Sequence, residues 1–503
     1  MRARLIGAVA TLLAVAGTGL ITGTGFANAA PSTGSQAAKP SDQTLTAGLV
    51  AYQSNQLTVT GDGSKSSDDT DTITDYSFDF GDGTAAVAGS AATETHTYAK
   101  TGTYTVTLTV TDSAGDTNAT SQHVTVANSY TPSNVARLLD TRIGTGEGNA
   151  APVGAGQVLR LYVAGVDNVP ATGATALVFD VTATDPTANS FLTVWPDGTT
   201  QPTLSTVNFQ AGSTVRNLVT VPVSADGYID FFNNAGSTDV IADFEGYYSN
   251  APGFSGGYFS PVTPFRALDT RSGTGGVPAS PVGPGQAVTV NPNSRGTVGN
   301  VRGIVLNVTV TNSTVNGGNL TVFSGVQPGE PNVSFAAGQT ISNQVIIPTD
   351  AADDISFYNW IGNADVVADV EGYIVEPGSA SGSAFTPTTA TRILDTRNGT
   401  GGVPAAPVGP NSDLGLQVAG VDGIPADVTA VDINVTDVSP TATDYLTIGS
   451  TPGAGPTTDL HFNQGQILSE KVFVPVGPDG KIYFHNYNGS TDLVAGLAGY
   501  FEG

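Results

Sequence analysis

The sequence Arg-Leu-Leu-Asp-Thr-Arg at residues 137–142 returns as Arg-Ala-Leu-Asp-Thr-Arg at 266–271 and as Arg-Ile-Leu-Asp-Thr-Arg at 392–397. Later in each repeat comes a second landmark that ends in Gly-Tyr, at residues 239–247, 365–373 and 492–500. The spacing exceeds the usual solenoid or propeller period, so each repeat is long enough to be a domain with its own core. The chain is therefore predicted to be an array, and its function must be sought in a module that is used three times.

Between the two landmarks, each repeat carries short apolar runs rich in Val and Thr, separated by Gly-, Asn- and Pro-rich turns. Such runs are typical of β-strands. Roughly eight strands per repeat without a helical period predict an all-β fold, either a jelly-roll-like two-sheet sandwich or a closed barrel. We favour the sandwich, although the strand order cannot be read from spacing.

The N-terminus indicates export. Residues 1–29 combine two arginines, an apolar run and a closing Ala-Asn-Ala, which is the pattern of a signal peptide. Residues 30–41 are small and polar, which predicts a flexible lead-in. No other apolar stretch approaches the roughly 20 residues that cross a bilayer. We therefore expect a secreted, extracellular protein without membrane insertion.

Charge and cysteine content exclude several partners. The formal net charge is −26, and no lysine lies between Lys100 and Lys471. Without a basic stripe to neutralise phosphates, we expect neither nucleic acid nor anionic membranes as partners. The chain has no cysteine, so neither disulfides nor thiolate metal sites can hold the domains together. Each domain must depend on its apolar core.

Residues 42–127 carry three ordered motifs: Phe-Asp-Phe-Gly-Asp-Gly at 78–83, His-Thr-Tyr at 96–98, and the alternating run from Gly102 to Asp112. Together they resemble the PKD domain, an immunoglobulin-like β-sandwich. Phe78 stands where that family usually has Trp, but an aromatic core anchor is kept. The resemblance implies a non-catalytic spacer or interaction module of secreted or cell-surface proteins. Alternation places Val106, Leu108 and Val110 on one face with Tyr104.

The three repeats are predicted at residues 130–248, 258–375 and 385–503, joined by linkers at 249–257 and 376–384. They resemble uncharacterised β-rich repeats carried by secreted actinobacterial proteins, a likeness that implies location more than chemistry. The linkers are rich in Gly, Ser and Pro, which permits reorientation of the domains. We therefore expect an elongated rod of modules.

The repeated arginines have two interpretations. As bidentate receptors they would bind anions or carboxylates. As structural residues, each would pair with a nearby acid, such as Asp140 or Asp243 beside Arg142, and would fasten the first strand of the repeat to the last. The structural interpretation is favoured, because a free cationic site in so acidic a chain would normally have more positive neighbours.

No catalytic site is predicted, and the protein is not expected to be an enzyme. The histidines do not recur between repeats; they are His96, His123, His461 and His485. Two pairs of carboxylates remain as candidates for glycoside hydrolysis, namely Asp243 with Glu245 and Asp369 with Glu371. The third repeat has Gly496 and Ala498 at the equivalent positions. We interpret the two pairs as surface acids or as partners of the arginines.

No cofactor is expected, with calcium as the one alternative. Asp62, Asp68, Asp69 and Asp71 cluster in a loop of the PKD-like block, and hard oxygen ligands suit Ca²⁺. Some PKD relatives bind calcium, which favours a site here. Aspartate is also an ordinary turn residue, which would explain the cluster without a metal.

Three functional classes follow. The leading one is a non-enzymatic spacer, adhesion or interaction protein whose partner is an extracellular polysaccharide, the cell wall or a surface protein. The second is a carbohydrate- or cell-wall-binding protein that uses exposed aromatic rings as stacking platforms, with Trp195, Tyr248 and Trp360 as candidates. The third, a polysaccharide hydrolase, lacks the required groupings of acid, base and nucleophile.

Overall fold

The computed structural model describes residues 44–503 apart from 56, 100–101, 127, 147, 149, 251–255, 294–297, 299, 350–351, 377–381, 454 and 503. The predicted signal peptide and lead-in lie outside these residues. In the described part of the chain the regular secondary structure consists of β-strands alone, and the strands pair in antiparallel fashion. The predicted all-β class is therefore confirmed.

The N-terminal sandwich has seven strands: β1 Val50–Asn55, β2 Thr58–Asp62, β3 Ile73–Asp79, β4 Val87–Gly89, β5 Thr93–Thr97, β6 Gly102–Asp112 and β7 Thr117–Val126. One sheet has the order β1-β2-β5 and the other β4-β3-β6-β7. The predicted face of β6 is confirmed, since Val106, Leu108 and Val110 are fully buried. Phe78 joins them in one core. Alternation along a half-buried strand therefore sufficed to predict this core.

A tight turn at Gly-Asp-Gly, residues 81–83, follows β3 and leads towards β4. Both glycines have positive φ, and a Cβ on Gly81 would lie 2.4 Å from the Thr105 carbonyl oxygen. Asp82 in the same turn accepts hydrogen bonds from Thr84 and lies 2.8 Å from His96. The Thr84 hydroxyl is the main reason why the pKa of Asp82 falls to about 2. The motif is thus a turn that docks on neighbouring strands.

Each longer repeat has eight strands. The first has β8 Ser129–Asp140, β9 Gln157–Tyr162, β10 Ala174–Thr184, β11 Ser190–Pro196, β12 Val207–Phe209, β13 Thr214–Pro222, β14 Tyr228–Asn233 and β15 Asp239–Ser249. The second has β16 Tyr258–Asp269, β17 Gln286–Val290, β18 Val301–Thr311, β19 Gly318–Phe323, β20 Val333–Phe335, β21 Ile341–Pro348, β22 Ile355–Asn359 and β23 Asp365–Val375. The third has β24 Ala384–Asp395, β25 Ser412–Gln417, β26 Val428–Val438, β27 Asp444–Gly449, β28 Leu460–Phe462, β29 Leu468–Pro475, β30 Lys481–Asn486 and β31 Asp492–Glu502.

The strands of each repeat form two four-stranded sheets. In the first repeat the orders are β13-β10-β15-β8 and β12-β11-β14-β9, and the other two repeats follow the same orders. Numbered within the repeat, these are 6-3-8-1 and 5-4-7-2, which is the jelly-roll arrangement of two Greek keys. The repeats are therefore sandwiches and not closed barrels. We call the 6-3-8-1 sheet the inner sheet and the other the outer sheet.

The three inner sheets pack against one another. Between them lies an axial core to which every repeat contributes, namely Tyr130, Ala176, Val178, Leu218 and Tyr248, then Phe259, Val305, Ile346 and Ile374, then Ala430, Phe385, Phe473 and Phe501. The strand equivalent to β13 in each repeat contacts its two counterparts. The rod-like arrangement predicted for the repeats is therefore wrong, because each inner sheet has a second apolar face that is buried only by assembly.

Short β-bridges close this arrangement into a ring. Tyr130 pairs with Gly257, Phe259 with Ser383, and Phe385 with Asn128. The start of each repeat is thus bonded to the start of the next, and the third returns to the first. Of the two predicted linkers, residues 251–255 and 377–381 lie outside the described residues. We call residues 129–502 the three-repeat body.

Candidate functional site

The repeated motif forms ion pairs inside each jelly roll. Arg137 on β8 donates from Nε and Nη2 to the two oxygens of Asp243 on β15, at 2.8 and 3.0 Å. Arg142 donates in the same bidentate way to Asp140, at 2.9 and 2.7 Å. Asp140 and Asp243 are both almost completely buried. The pairing of arginine with acid that fastens the first strand to the last is thereby confirmed.

The second repeat reproduces this geometry. Arg266 donates to Asp369 at 3.0 Å from both nitrogens, and Arg271 donates to Asp269 at 2.9 and 2.7 Å. The threonine of the motif adds a further link, because Thr270 donates to Asp365 at 3.0 Å and accepts the backbone N–H of Val366. Bidentate guanidinium–carboxylate pairs of this kind are strong and directional. These arginines are occupied by acids of their own repeat.

The third repeat departs from the pattern. Gly496 stands in the place of Asp243, and a Cβ on it would lie 2.6 Å from Cδ1 of Leu204 in the first repeat. Arg392 keeps the contact with Asp395 that the equivalent arginines make in the other repeats, and it donates to the Thr203 carbonyl at 2.6 Å in place of the missing acid. The missing carboxylate leaves room for a side chain of the first repeat, so the change serves the contact between repeats.

The hydrolase candidates are inaccessible. Asp243, Glu245, Asp369 and Glu371 are each at most 3% exposed. The Glu245 carboxylate accepts a 3.0 Å hydrogen bond from Asn332 of the second repeat. Burial, followed by the charge of Asp180, raises the pKa of Glu245 well above its usual value. The interpretation as surface acids is wrong for Glu245 and Glu371, because the strands that carry them, β15 and β23, are covered by neighbouring repeats.

Two buried cations were missed by the sequence analysis. Arg216 on β13 is 7% exposed, donates from Nε to Ser334 of the second repeat at 2.7 Å, and lies 3.5 Å from Asp180. Lys471 on β29 is 2% exposed and contacts Asp432. The available signal was a charged residue inside an apolar strand run, which suggests a partner beyond the strand.

The histidines do not converge on one site. His96 contacts Asp82, His123 contacts Thr105 at 3.1 Å, and His485 lies 2.8 Å from Asp413. Burial lowers the pKa of His461 to about 4, so this imidazole is neutral at physiological pH. Their scattered positions agree with the lack of recurrence in the sequence.

The acidic loop of the N-terminal sandwich gathers three carboxylates. Asp68 and Asp71 meet Asp112, with one oxygen of each within 4.8 Å of the others. Asp112 is 2% exposed and accepts two backbone N–H bonds at Oδ1, while its buried Oδ2 has no hydrogen bond among the described residues. Three converging hard oxygen donors fit Ca²⁺.

Two of the four predicted calcium ligands do not join this cluster. Asp62 accepts the backbone N–H of Ser64 at 2.8 Å, and Asp69 is exposed. Asp112 was missed because it ends β6, far along the chain from the loop. The three clustered carboxylates are therefore the groups that would hold a cation.

Only one predicted aromatic platform reaches the surface. Trp195 is 5% exposed and Tyr248 lies in the axial core at 1%. Both are wrong as stacking platforms, because core packing covers their rings. Trp360 is 39% exposed. Its Nε1 donates to Thr321 at 2.8 Å and its ring meets the edge of Tyr358. This indole is therefore held in a fixed orientation at the surface.

A cleft of about 1040 Å³ opens where the three repeats meet. Its lining is mostly hydroxyls and amides, including Gln210, Asn316, Asn319, Gln339 and Gln464. Arg142 borders it but is already paired with Asp140. The cleft thus offers neutral hydrogen-bonding groups and not a free charge.

The family model for the PKD domain matches residues 43–127. Residues 43–127 are a PKD domain. Among solved structures, the PKD1 domain of Vibrio anguillarum Epp is 32% identical (TM-score 0.15) and covers 17% of this chain and 95% of its own. The PKD1 domain of the Vibrio cholerae metalloprotease PrtV is 35% identical (TM-score 0.15) and covers 16% and 95%. PKD domains are typical of extracellular proteins.

Beyond the PKD domain the similarities are distant. A carbohydrate-binding module of the β-sandwich superfamily is 16% identical (TM-score 0.16) and covers 42% of this chain and 98% of its own. This likeness is too distant to indicate a ligand. No curated protein matches the chain. Within the described residues, no helix is long and apolar enough to span a membrane.

Proposed function

We propose that this protein is a secreted, non-enzymatic adhesion or interaction protein of the extracellular space. The observation that carries the proposal is the mutual pairing of the repeated charged groups. Arg137 and Arg142 are paired with buried acids of their own repeat. Residues committed to ion pairs within the fold are not free to act on a substrate. The PKD domain supports an extracellular location.

The proposal is tested by measuring binding and product release together. The purified protein is incubated with insoluble polysaccharides, with peptidoglycan and with immobilised surface proteins. We expect co-sedimentation or capture by at least one of them and no soluble sugar or peptide. Release of either product in proportion to protein concentration would contradict the non-enzymatic assignment.

Carbohydrate or cell-wall binding is the second candidate. It is favoured by Trp360, whose exposed ring is oriented by Thr321, and by the polar cleft where the three repeats meet. Sugar sites combine an aromatic platform with hydroxyl and amide partners. The Trp360→Ala protein should then lose most of its retention on polysaccharide.

Val326→Ala is the matched control, because Val326 is 90% exposed and apolar. It should leave retention unchanged. Equal retention of both variants would show that Trp360 is not the platform. No retention of the unaltered protein, with capture by a surface protein preserved, would assign the protein to adhesion without carbohydrate recognition.

A further inference from the structure

Lys471 and Asp432 form a buried pair beside the axial core. They lie on β29 and β26, neighbouring strands of the third inner sheet, and their exposed fractions are 2% and 0%. Nζ of Lys471 contacts Oδ1 of Asp432. The reacting groups of an amine and a carboxyl are thus held against each other without bulk water.

The surroundings satisfy the lysine better than the aspartate. The Phe473 ring centroid lies 4.3 Å from Nζ, and the Thr220 hydroxyl of the first repeat accepts a hydrogen bond from Nζ at 2.8 Å. Oδ2 of Asp432 is buried without a hydrogen bond among the described residues. A buried ion pair needs its remaining oxygen and protons satisfied to offset desolvation.

Burial favours the neutral form of the lysine amine. It lowers the pKa of Lys471, and a desolvated lysine amine is a nucleophile.

We propose that Lys471 and Asp432 join in an intramolecular isopeptide bond. A proton passes from the ammonium of Lys471 to the carboxylate of Asp432, which leaves an amine and a carboxylic acid. The Nζ lone pair attacks Cγ, and the new C–N bond replaces the C–O bond to the hydroxyl. Nζ passes one of its protons to the departing hydroxyl, which leaves as water. No oxidant or co-reactant is needed.

The structure also provides a place for the water. A cavity of about 40 Å³ is lined by Asp432, Lys471, Thr220 and Gly496. A water molecule needs roughly 10–15 Å³ of such space. Thr220 comes from the first repeat and the reacting pair from the third, so the pair reaches this environment only after these two repeats have packed together. The bond then locks β26 to β29.

Mass spectrometry of the full chain tests the proposal. After denaturation, digestion on the carboxyl side of glutamate cuts after Glu470 and so separates Lys471 from the peptide that carries Asp432. We expect these two peptides to remain joined, with a mass one water molecule below their sum. Two separate peptides of unmodified mass would overturn the proposal, and this digest requires no variant.

Variants then test the chemistry. Lys471→Arg keeps a positive charge without a nucleophilic amine and should abolish the joined peptide. Lys481→Arg, on the neighbouring β30, is the matched control and should retain it. A joined peptide in Lys471→Arg would overturn the bond.

Discussion

At the scale of single residues, the sequence predicted the pairs within a repeat and missed those between repeats. Arg142 and Asp140 are two residues apart, so their pairing follows from the motif. Arg137 and Asp243 recur at matching places in two repeats, which indicated the longer link. Arg216 donates to Ser334 of the second repeat, and nothing in the sequence of the first repeat indicates that partner.

Replacing Arg142 with alanine should destabilise the first repeat. Asp140 is 1% exposed and would lose two hydrogen bonds. A buried carboxylate left partly unsatisfied costs about 1–3 kcal/mol. Urea unfolding should show the loss. Arg302→Ala, which removes the more exposed pair with Glu376, should cost at most about 1 kcal/mol. Equal costs for the two variants would contradict a structural role for the motif.

Calcium should stabilise the PKD domain through Asp68, Asp71 and Asp112. A ligand that binds only the folded state raises its melting temperature. We expect a higher transition in calcium than in chelator. Asp112→Asn should remove the difference, whereas Asp69→Asn, outside the cluster, should keep it. Identical melting curves in calcium and in chelator would show that these carboxylates do not bind calcium.

At the scale of elements, the inner sheets differ from ordinary sandwich sheets because both of their faces are buried. The whole of β23 is buried, and so is nearly all of β15. Their near-continuous apolar runs were the available signal for two covered faces. We assigned those strands to separate modules, because a period of two residues does not reveal what covers the second face.

Restoring the missing acid at position 496 of the third repeat should destabilise the three-repeat body. In Gly496→Asp the new Cβ would lie 2.6 Å from Leu204 of the first repeat. Overpacking of this kind costs about 1–3 kcal/mol. Gly449→Asp is the matched control, since nothing lies within 4 Å of a Cβ at Gly449. Thermal melting compares them; a Gly496→Asp protein as stable as the control would contradict the contact.

At the scale of the whole molecule, three modules share one core. Phe259 stands 5.0 Å from Phe473 and 4.7 Å from Phe501, ring centroid to ring centroid, and so bridges the second and third repeats. Isolated repeats would expose these rings. We therefore expect the three-repeat body to unfold as one cooperative unit, separate from the PKD domain.

Phe259→Ala should lower the melting of the entire three-repeat body. Truncating a buried phenylalanine costs about 3–5 kcal/mol. Calorimetry should show the whole transition of the three-repeat body, the larger of the two, shifted to lower temperature. Phe78→Ala in the PKD core should lower only the smaller transition, that of the PKD domain. If Phe259→Ala shifts only about a third of the large transition enthalpy, the repeats unfold independently.

Acidification should stabilise the three-repeat body. Burial raises the pKa values of Glu245 and Glu371 above their usual range. Stability from a raised carboxyl pKa is complete below the unfolded value of about 4.3 and is lost as pH rises through the folded value. The lowered pKa of Asp395, about 2, owes most to Arg397, and its contribution is lost only as pH falls from about 4 towards 2.

The melting temperature should accordingly be higher at about pH 5 than at about pH 7.5. Glu245→Gln should reduce that difference. Glu376→Gln, at an exposed pair, should retain it. A difference that is unaffected by Glu245→Gln would show that the proton is bound elsewhere.

The sequence by itself determined what depends on local pattern and on repetition: the PKD core around Phe78, the all-β class, the three modules and the arginine–acid pairs within them. The tertiary structure decided the jelly-roll strand order, the closed ring, the burial of Tyr248 and Glu245, and the meeting of Lys471 with Asp432. Periodicity reports which side of a strand is apolar. It does not report which distant surface covers that side, because that contact exists only after the three repeats have packed together.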